Sequence, residues 1–253
     1  MLQNTFIHIP KVSRNAEIKL WRDEIHTWQN FLDNEETIEM SDSKKSYISR
    51  QLRDSMDALK RRDYSHFSGL PANQHWRLYS ELRNKTCFLD IETTGLSKHQ
   101  NDITLIGIHG NEGSKIFMNG VDLEKFEDEL KRYKMIITFN GKCFDIPFIR
   151  QKFPDVEIGQ YHADLRFMLS ELGFRGGLKS IELQRGIRRP EELDGVDGFE
   201  AVRLWHRYQR GDNSALVTLK KYLTADIENL RPLMEKAVVE LKKKNFDDIL
   251  KLS

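Results

Sequence analysis

The sequence predicts an α/β protein in which a mixed sheet is flanked by helices and preceded by a helical N-terminal region. Residues 1–84 contain almost no β pattern and are rich in Lys, Arg, Asp and Ser, which indicates short helices. Residues 85–253 alternate short apolar segments with longer amphipathic ones, as in α/β domains. We therefore expect a helical region over 1–84 and an α/β domain over 85–253.

Three apolar segments follow one another at the start of the second region. They are predicted as strands over Lys85–Ile91, Asp102–His109 and Ser114–Met118. The last two are joined by the short turn Asn111–Gly113, so the three strands are expected to form an antiparallel meander.

The remainder of this region alternates helices with short strands. Leu123, Phe126 and Leu130 are spaced as on a helix over 122–133. Met135–Phe139 is too short for a helix and apolar throughout, which predicts a buried strand. His162 and Asp164 mark another strand-to-helix junction. Further helices are expected over roughly 165–172, 177–185, 197–209 and 214–243.

Composition limits the classes of function. Hydrophobic residues make up 39% of the 253, which is enough for a core and argues against disorder. The 40 Lys and Arg nearly balance the 39 Asp and Glu, so nucleic acid would have to be bound by local patches. No apolar run approaches the ~20 residues that span a bilayer. We expect a cytoplasmic protein with no membrane partner, and its two cysteines, Cys87 and Cys143, as buried thiols.

The first predicted strand ends in a pair of carboxylates. Asp90 and Glu92 are two residues apart, so both point to one face of the strand. That arrangement is favourable if a divalent cation lies between them, and the alternative is a strand end that reaches solvent. Thr93, Thr94 and Gly95 follow with two hydroxyls and a glycine that a ligand could approach closely, or they form a plain turn.

Two further carboxylates lie on later elements. Asp145 follows the buried strand and is expected near a helix N-terminus, where it acts either at the site or as a cap. Tyr222 and Asp226 are four apart on a predicted helix, on a face that also carries leucines. An inward carboxylate needs a partner, and no arginine is an obvious one. A shared metal ion is therefore expected, unless the helix is rotated so that Asp226 is exposed.

Together these residues resemble the motifs of the DEDD, or DnaQ-like, 3′–5′ exonucleases of the ribonuclease H-like fold. Phe88–Leu96 resembles the first motif, Asn140–Asp145 the second, and Tyr222–Asp226 the third in its tyrosine (DEDDy) form. Within that superfamily the chain is most similar to a prokaryotic RNase H-like branch. The resemblance covers about residues 85–235.

The resemblance implies a five-stranded mixed sheet and a two-metal exonuclease that uses Mg²⁺ or Mn²⁺. It assigns Asp90, Glu92, Asp145 and Asp226 as metal ligands, with Asp90 bridging the two ions. Tyr222 would position the attacking water, since an ordinary tyrosine, with a pKa of ~10, is too weak a base to deprotonate it. The residues that it implies for substrate binding are Thr93, Thr94, Gly95, Leu96, Asn140 and Phe144.

The expected substrate is single-stranded nucleic acid, with DNA favoured and RNA as the alternative. DNA is favoured because residues 9–32 have the rhythm of a helix–hairpin–helix unit, although Lys11-Val12-Ser13 stands where such units carry glycines. A strand-binding rim is expected from basic residues between the second and third motifs, namely Arg175, Lys179, Arg185, Arg188 and Arg189. The oligomeric state is left open.

Two other functions compete with the exonuclease. Asp90–Thr94 approximates the D-x-D-x-T motif of haloacid-dehalogenase-like phosphatases, but its second acid is Glu92, which is one methylene longer. A non-catalytic nucleic-acid-binding protein with a nuclease fold is expected to lose an acidic ligand. All four are present, which argues against that alternative.

Overall fold

The computed structural model describes residues 1–251, which form two compact units. One unit comprises residues 1–81 together with residues 240–251, and the other comprises Leu82–Val239. The division into domains over 1–84 and 85–253 stays a prediction.

The first unit is helical, as the composition predicts. It contains α1 (Arg14–Arg22), α2 (Trp28–Asp33) and α3 (Asp42–Lys60), and the short α4 (Tyr79–Leu82) crosses its boundary. Its core includes Trp21, Trp28 and Trp76, all fully or almost fully buried. The buried Glu17 carboxylate accepts hydrogen bonds from Arg77 Nη1 at 3.0 Å and from the Phe6 amide at 2.7 Å. These bonds compensate the cost of burying its charge.

The N-terminal turn differs from a helix–hairpin–helix. Only a three-residue 3₁₀ helix, Leu2–Asn4, precedes it, where that motif has an α-helix. Lys11 lies in the left-handed region with φ 69°, a conformation that glycine adopts more easily. Ser13 caps α1 by accepting a hydrogen bond from the Ala16 amide. This segment therefore starts a helix and provides no support for DNA binding.

The second unit contains a mixed five-stranded sheet, which confirms the predicted fold class. Its strands are β1 (Thr86–Thr93), β2 (Ile103–Gly110), β3 (Gly113–Met118), β4 (Met135–Thr138) and β5 (Tyr161–Asp164), in the spatial order β3-β2-β1-β4-β5. β1, β2 and β3 form the expected antiparallel meander, whereas β4 runs parallel to both β1 and β5. Asp90 lies opposite Gly107 in the β1–β2 register.

Six helices accompany the sheet. They are α5 (Phe126–Leu130), α6 (Asp145–Lys152), α7 (Leu165–Glu171), α8 (Leu178–Gln184), α9 (Gly198–Gln209) and α10 (Asn213–Lys242). The single helix expected over 122–133 is shorter, because Leu123–Lys125 is a 3₁₀ turn. The Asp122 carboxylate accepts a hydrogen bond from the Met118 amide at 2.8 Å and so ties this turn to the end of β3.

Apolar clusters involve alternate residues of β1 and β2. Leu89 and Ile91 belong to a cluster with Phe126 of α5 and Phe148 of α6. Leu105 belongs to another with residues of α9 and α10, including Trp205 and Leu223. Side chains alternate between the faces of a strand, so Asp90 and Glu92 lie on the β1 face opposite Leu89 and Ile91.

The chain after Val239 belongs to the first unit. There α10 continues to Lys242, and a π-helical turn (Lys243–Asp247) leads into α11 (Asp248–Leu250). Among residues 1–251, no helix combines the length and apolar character that crossing a bilayer requires.

The two cysteines differ in environment. Cys87 is buried, as expected, and its burial raises the pKa of its thiol. Cys143 is exposed, so the expectation of two buried thiols is wrong for this residue. It lies in the turn between β4 and α6, where the apolar neighbours in sequence pack inward without it.

His8 makes the stability of the first unit sensitive to pH. Burial, together with the charge of the nearby His66, lowers the pKa of His8 from 6.5 to about 3. The folded chain therefore keeps His8 neutral, while the unfolded chain takes up a proton below pH 6.5. Stability is complete above that pH and falls as the pH decreases, by about 2 kcal/mol at pH 5.

We expect His8→Gln to reduce this pH dependence by a similar amount, since glutamine can keep the 2.9 Å bond to Ser55 without titrating. The free energies of urea unfolding at pH 7 and pH 5 measure it for both proteins. The same loss in the two would assign the pH dependence to other groups.

Candidate active site

Three carboxylates from β1 and α10 converge. One oxygen from each of Asp90, Glu92 and Asp226 lies within 4.8 Å of the other two. Gly107 permits this approach of α10 to the sheet. A Cβ at this position would lie 2.9 Å from Leu223 Cγ and 3.2 Å from Ile227 Cδ1. Ile227 is the residue after Asp226, so the glycine lets α10 bring Asp226 close to the sheet.

Asp145 joins this cluster from α6. It is the first residue of the helix and is buried, and its carboxyl group is hydrogen-bonded with that of Asp90. Its Oδ1 atom is buried with no hydrogen-bond partner among the described residues. The helix-capping alternative is not supported, because Phe144 occupies the N-cap position and makes no side-chain cap.

Asp164 holds the turn that leads to Asp145. Its carboxylate accepts hydrogen bonds from the Asn140 and Lys142 amides at 2.8 and 3.0 Å, and from the Arg166 amide at 3.0 Å. Asn140 lies in the left-handed region with φ 67°. Asp164 therefore fixes the conformation of the turn and caps α7, which accounts for its burial.

The cluster is electrostatically unfavourable without a cation. Burial raises the pKa of Asp90 and of Glu92 well above their usual range, and the neighbouring carboxylates raise both further. Burial raises the pKa of Asp145 to about 7, and that of Asp226 to about 6 despite the opposing Arg189. All-oxygen donors, one of them buried without a partner, suit a hard divalent ion. The residues present therefore fit the metal that the motifs imply.

Arg189 is the partner that sequence reasoning did not find for Asp226. Its guanidinium binds Asp226 through Nη2 and binds Glu182 at 2.6 Å through Nε and at 2.8 Å through Nη2. All three side chains are at least 92% buried. The expectation that Asp226 has no arginine partner is wrong, and so is the placement of Arg189 on an exposed rim.

Tyr222 lies over these groups on α10. Burial raises the pKa of its phenol, and the Asp226 charge raises it further, so the hydroxyl stays protonated. Lys179 Nζ lies 4.9 Å from the ring centroid, and the guanidinium carbon of Arg189 lies 5.4 Å from it. These distances are within the range of cation–π attraction.

The cluster opens into a cavity of about 1090 Å³. All four clustered carboxylates and Tyr222 line it. So do most of the residues expected to bind substrate, namely Thr93, Gly95, Leu96, Asn140 and Phe144. Thr94 is not among the residues of its lining, and its hydroxyl accepts a hydrogen bond from the Asp102 amide at 3.0 Å.

The glycine at position 95 has a packing role. A Cβ there would lie 2.5 Å from Oδ1 and 2.9 Å from Cγ of Asn101, so a larger residue would displace the Asn101 side chain. This contact favours a small residue at position 95, and Gly95 also lines the cavity.

The predicted basic rim is only partly at the cavity. Arg175 and Lys179 line it, whereas Arg185 packs on the Phe174 ring at 4.5 Å and Arg188 is exposed outside the lining. Sequence reasoning missed Arg166, Phe167 and Phe199, which also line the cavity. The only signal in the sequence for the two phenylalanines is an aromatic residue off the apolar face of its helix.

A family model described as the RNase_H superfamily matches residues 87–238. The chain belongs to the RNase_H superfamily. The match covers all of the sheet except Thr86, includes all four clustered carboxylates, and confirms the resemblance to ribonuclease H-like proteins. The phosphatase alternative is wrong, because the family and the antiparallel β1–β2–β3 meander are both those of the ribonuclease H-like fold.

The chain is similar to proteins from three organisms. The uncharacterized protein MJ0365 of Methanocaldococcus jannaschii is 31% identical over 157 residues, which cover 55% of this chain and 88% of that protein. The family B DNA polymerase of Pyrobaculum calidifontis is 16% identical with a TM-score of 0.52, over 65% of this chain. The match covers 26% of the polymerase chain, so this likeness concerns the fold. NrnC of Brucella melitensis with bound Mg²⁺ is 15% identical, with a TM-score of 0.46 over 69% of this chain and 82% of that one.

Replacement of Arg189 tests its role in this RNase_H superfamily chain. We expect Arg189→Met to destabilise the metal-free protein by about 3–5 kcal/mol, because Glu182 and Asp226 stay buried without a cation. The control Arg207→Met removes an arginine that is 53% exposed and pairs with Asp212, at a cost of about 1 kcal/mol or less.

Urea unfolding in EDTA measures both variants. Added Mn²⁺ should then stabilise Arg189→Met more than it stabilises the wild type, since the ion supplies positive charge beside Asp226. Equal losses for the two arginine variants would contradict the buried ion pair.

Proposed function

We propose that this chain is a divalent-metal-dependent 3′–5′ exonuclease of the DEDDy kind that hydrolyses phosphodiester bonds of single-stranded nucleic acid. The observation that carries the proposal is the convergence of Asp90, Glu92 and Asp226 within 4.8 Å beside a large cavity. Membership in the RNase_H superfamily supports it. The direction of digestion follows from the resemblance of the three motifs to DEDD exonucleases.

Individual carboxylates have different proposed roles in metal binding. Asp90 is hydrogen-bonded with Asp145 and converges with Glu92 and Asp226, which supports the assignment, made from the resemblance, of Asp90 as the ligand that two ions would share. Asp226 offers its second oxygen, since Oδ1 accepts from Arg189. Two bound divalent ions would supply charge neutralisation at the phosphate and assistance to the leaving oxygen.

Tyr222 orients the attacking water. Its raised pKa keeps the phenol protonated, so it exchanges hydrogen bonds with water and does not act as a general base. Lys179 lies over the same ring and lines the cavity, where its positive charge suits a phosphate.

The proposed substrate includes both DNA and RNA, because the N-terminal segment that favoured DNA lacks the helix–hairpin–helix arrangement. A net charge of only +1 favours single-stranded ends over long duplexes, whose binding depends on many phosphate contacts.

Digestion of 5′-end-labelled strands tests the proposal. Single- and double-stranded DNA and RNA are incubated with the chain and either Mg²⁺, Mn²⁺ or EDTA. We expect a ladder of products that shortens from the 3′ end, with a metal present and on single strands, and none in EDTA. Internal cuts would indicate an endonuclease, and no cleavage with any metal would contradict the proposal.

Single carboxylate replacements test the site. We expect Asp90→Asn and Asp226→Asn each to abolish cleavage, because metal catalysis depends on ligand geometry. Asp90→Asn also removes one charge from a repelling cluster, so the metal-free protein should unfold at an equal or higher temperature. The control is Asp155→Asn, an exposed acid outside the cavity lining, which should cleave like the wild type. Near-normal cleavage by Asp226→Asn would remove that residue from the site.

The tyrosine should matter less than the carboxylates. Tyr222→Phe keeps the ring beneath Lys179 and removes only the hydroxyl that orients water. We expect kcat to fall by about 10- to 100-fold, below the loss for a general base, with little change in metal affinity. Single-turnover cleavage and Mn²⁺ titration measure the two effects. A loss as complete as that of Asp90→Asn would give the phenol a more direct role.

A further inference from the structure

Two exposed phenylalanines stand beside the carboxylate cavity. Phe167 on α7 is 52% exposed and Phe199 in the first turn of α9 is 68% exposed. The other twelve phenylalanines of the chain are buried or half-buried. Both exposed rings line the cavity that contains Asp90, Tyr222 and Asp226.

The core of the second unit does not account for these two rings. The buried residues of α7 are Leu165, Met168 and Leu169, and those of α9 are Ala201, Leu204 and Trp205. Phe167 and Phe199 therefore lie off the packed faces of their helices. Single exposed apolar residues are common, but three of the seven large exposed ones line this one cavity, the third being Leu96 at 75% exposure.

The charges around the cavity match a polyanion with aromatic components. Arg166, Arg175 and Lys179 line it together with the two rings. Asp197 also lies there, but it is occupied as the N-cap of α9 by accepting from the Glu200 amide. Basic side chains interleaved with aromatic ones are the arrangement by which proteins hold unpaired strands, since bases stack on the rings and phosphates contact the cations.

The size of the cavity allows more than a terminal nucleotide. A volume of about 1090 Å³ exceeds the ~300–1,000 Å³ typical of pockets for one small ligand. Rings can stack only on bases whose faces are free, so the bases of an intact duplex are excluded from them.

We propose that Phe167 and Phe199 form a base-stacking subsite for unpaired nucleotides of a strand whose 3′ end reaches the carboxylates. This inference rests on the proposed exonuclease function and extends it to the selection of single strands.

Binding of fluorescent oligonucleotides to the full chain tests this subsite. Fluorescence anisotropy is measured in Ca²⁺, an oxygen-ligated ion that neutralises the carboxylates. We expect Phe167→Ala and Phe199→Ala each to weaken binding of a single-stranded oligonucleotide by about 5- to 100-fold. The control Val217→Ala removes an equally exposed apolar residue outside the lining and should leave binding unchanged.

A strand with abasic sites near its 3′ end separates stacking from general damage. Such a strand has phosphates but no bases at these sites. We therefore expect the wild type and the phenylalanine variants to bind it equally weakly. Non-additive losses of this kind identify a direct contact. Melting temperatures of both variants should stay within a few degrees of the wild type, since exposed rings contribute little to the core.

Three outcomes would overturn the subsite. The first is that the phenylalanine variants bind single strands within twofold of the wild type. The second is that these variants lose as much affinity for abasic strands as for normal strands. The third is that Val217→Ala loses as much affinity as the phenylalanine variants do. If the wild type cleaves strands but shows any of these, only the subsite fails. If the wild type neither binds nor cleaves any strand, the proposed function fails with it.

Discussion

The close approach of α10 to the sheet at Gly107 is the constraint on which the candidate site depends. Asp90 lies opposite this glycine in the β1–β2 register, and Leu223 and Ile227 occupy the space where its side chain would be. A larger residue would displace the helix or force these side chains from their rotamers. A shift of the helix would carry Asp226 away from Asp90 and Glu92. The absence of a Cβ at Gly107 therefore determines both how closely α10 packs on the sheet and how close Asp226 lies to the other carboxylates.

Arg189 is the cation that is ion-paired with the carboxylate cluster among the residues that the structure describes. Arg189 neutralises part of the charge at Asp226, and Glu182, which also accepts a hydrogen bond from Asn229, holds the guanidinium in place. No cation within residues 1–251 is hydrogen-bonded to Asp90 or Glu92, and the pKa of each is raised by burial and by neighbouring acids. The remaining negative charge is concentrated where β1 faces α10. A divalent ion would be most strongly attracted to that position.

The features of the fold and the site that the sequence predicted correctly depend on residues close together in the sequence. Apolar runs located all of the strands of the meander, and the spacing of Asp90 and Glu92 placed them on one face. The missed features depend on contacts between distant residues. Arg189 and Asp226 are 37 positions apart, and an arginine among other basic residues looks like part of a surface. Gly95 was predicted from a motif, but its contact with Asn101 was not, and Gly107 lies in a strand whose partner helix begins more than 100 residues later.

The unfavourable features of the second unit are concentrated in one cavity. Buried carboxylates with raised pKa values and a buried carboxylate oxygen without a hydrogen-bond partner among the described residues reduce the stability of the folded chain, and two exposed phenylalanines leave apolar surface in water. The first two are relieved by a divalent cation, and the third by an aromatic ligand. A nucleic acid strand carries both bases, which can stack on the rings, and phosphates, which can contact bound cations. One class of ligand, an unpaired nucleic acid strand with its metal ions, would thus relieve all three, whereas a small phosphate ester would leave the rings exposed.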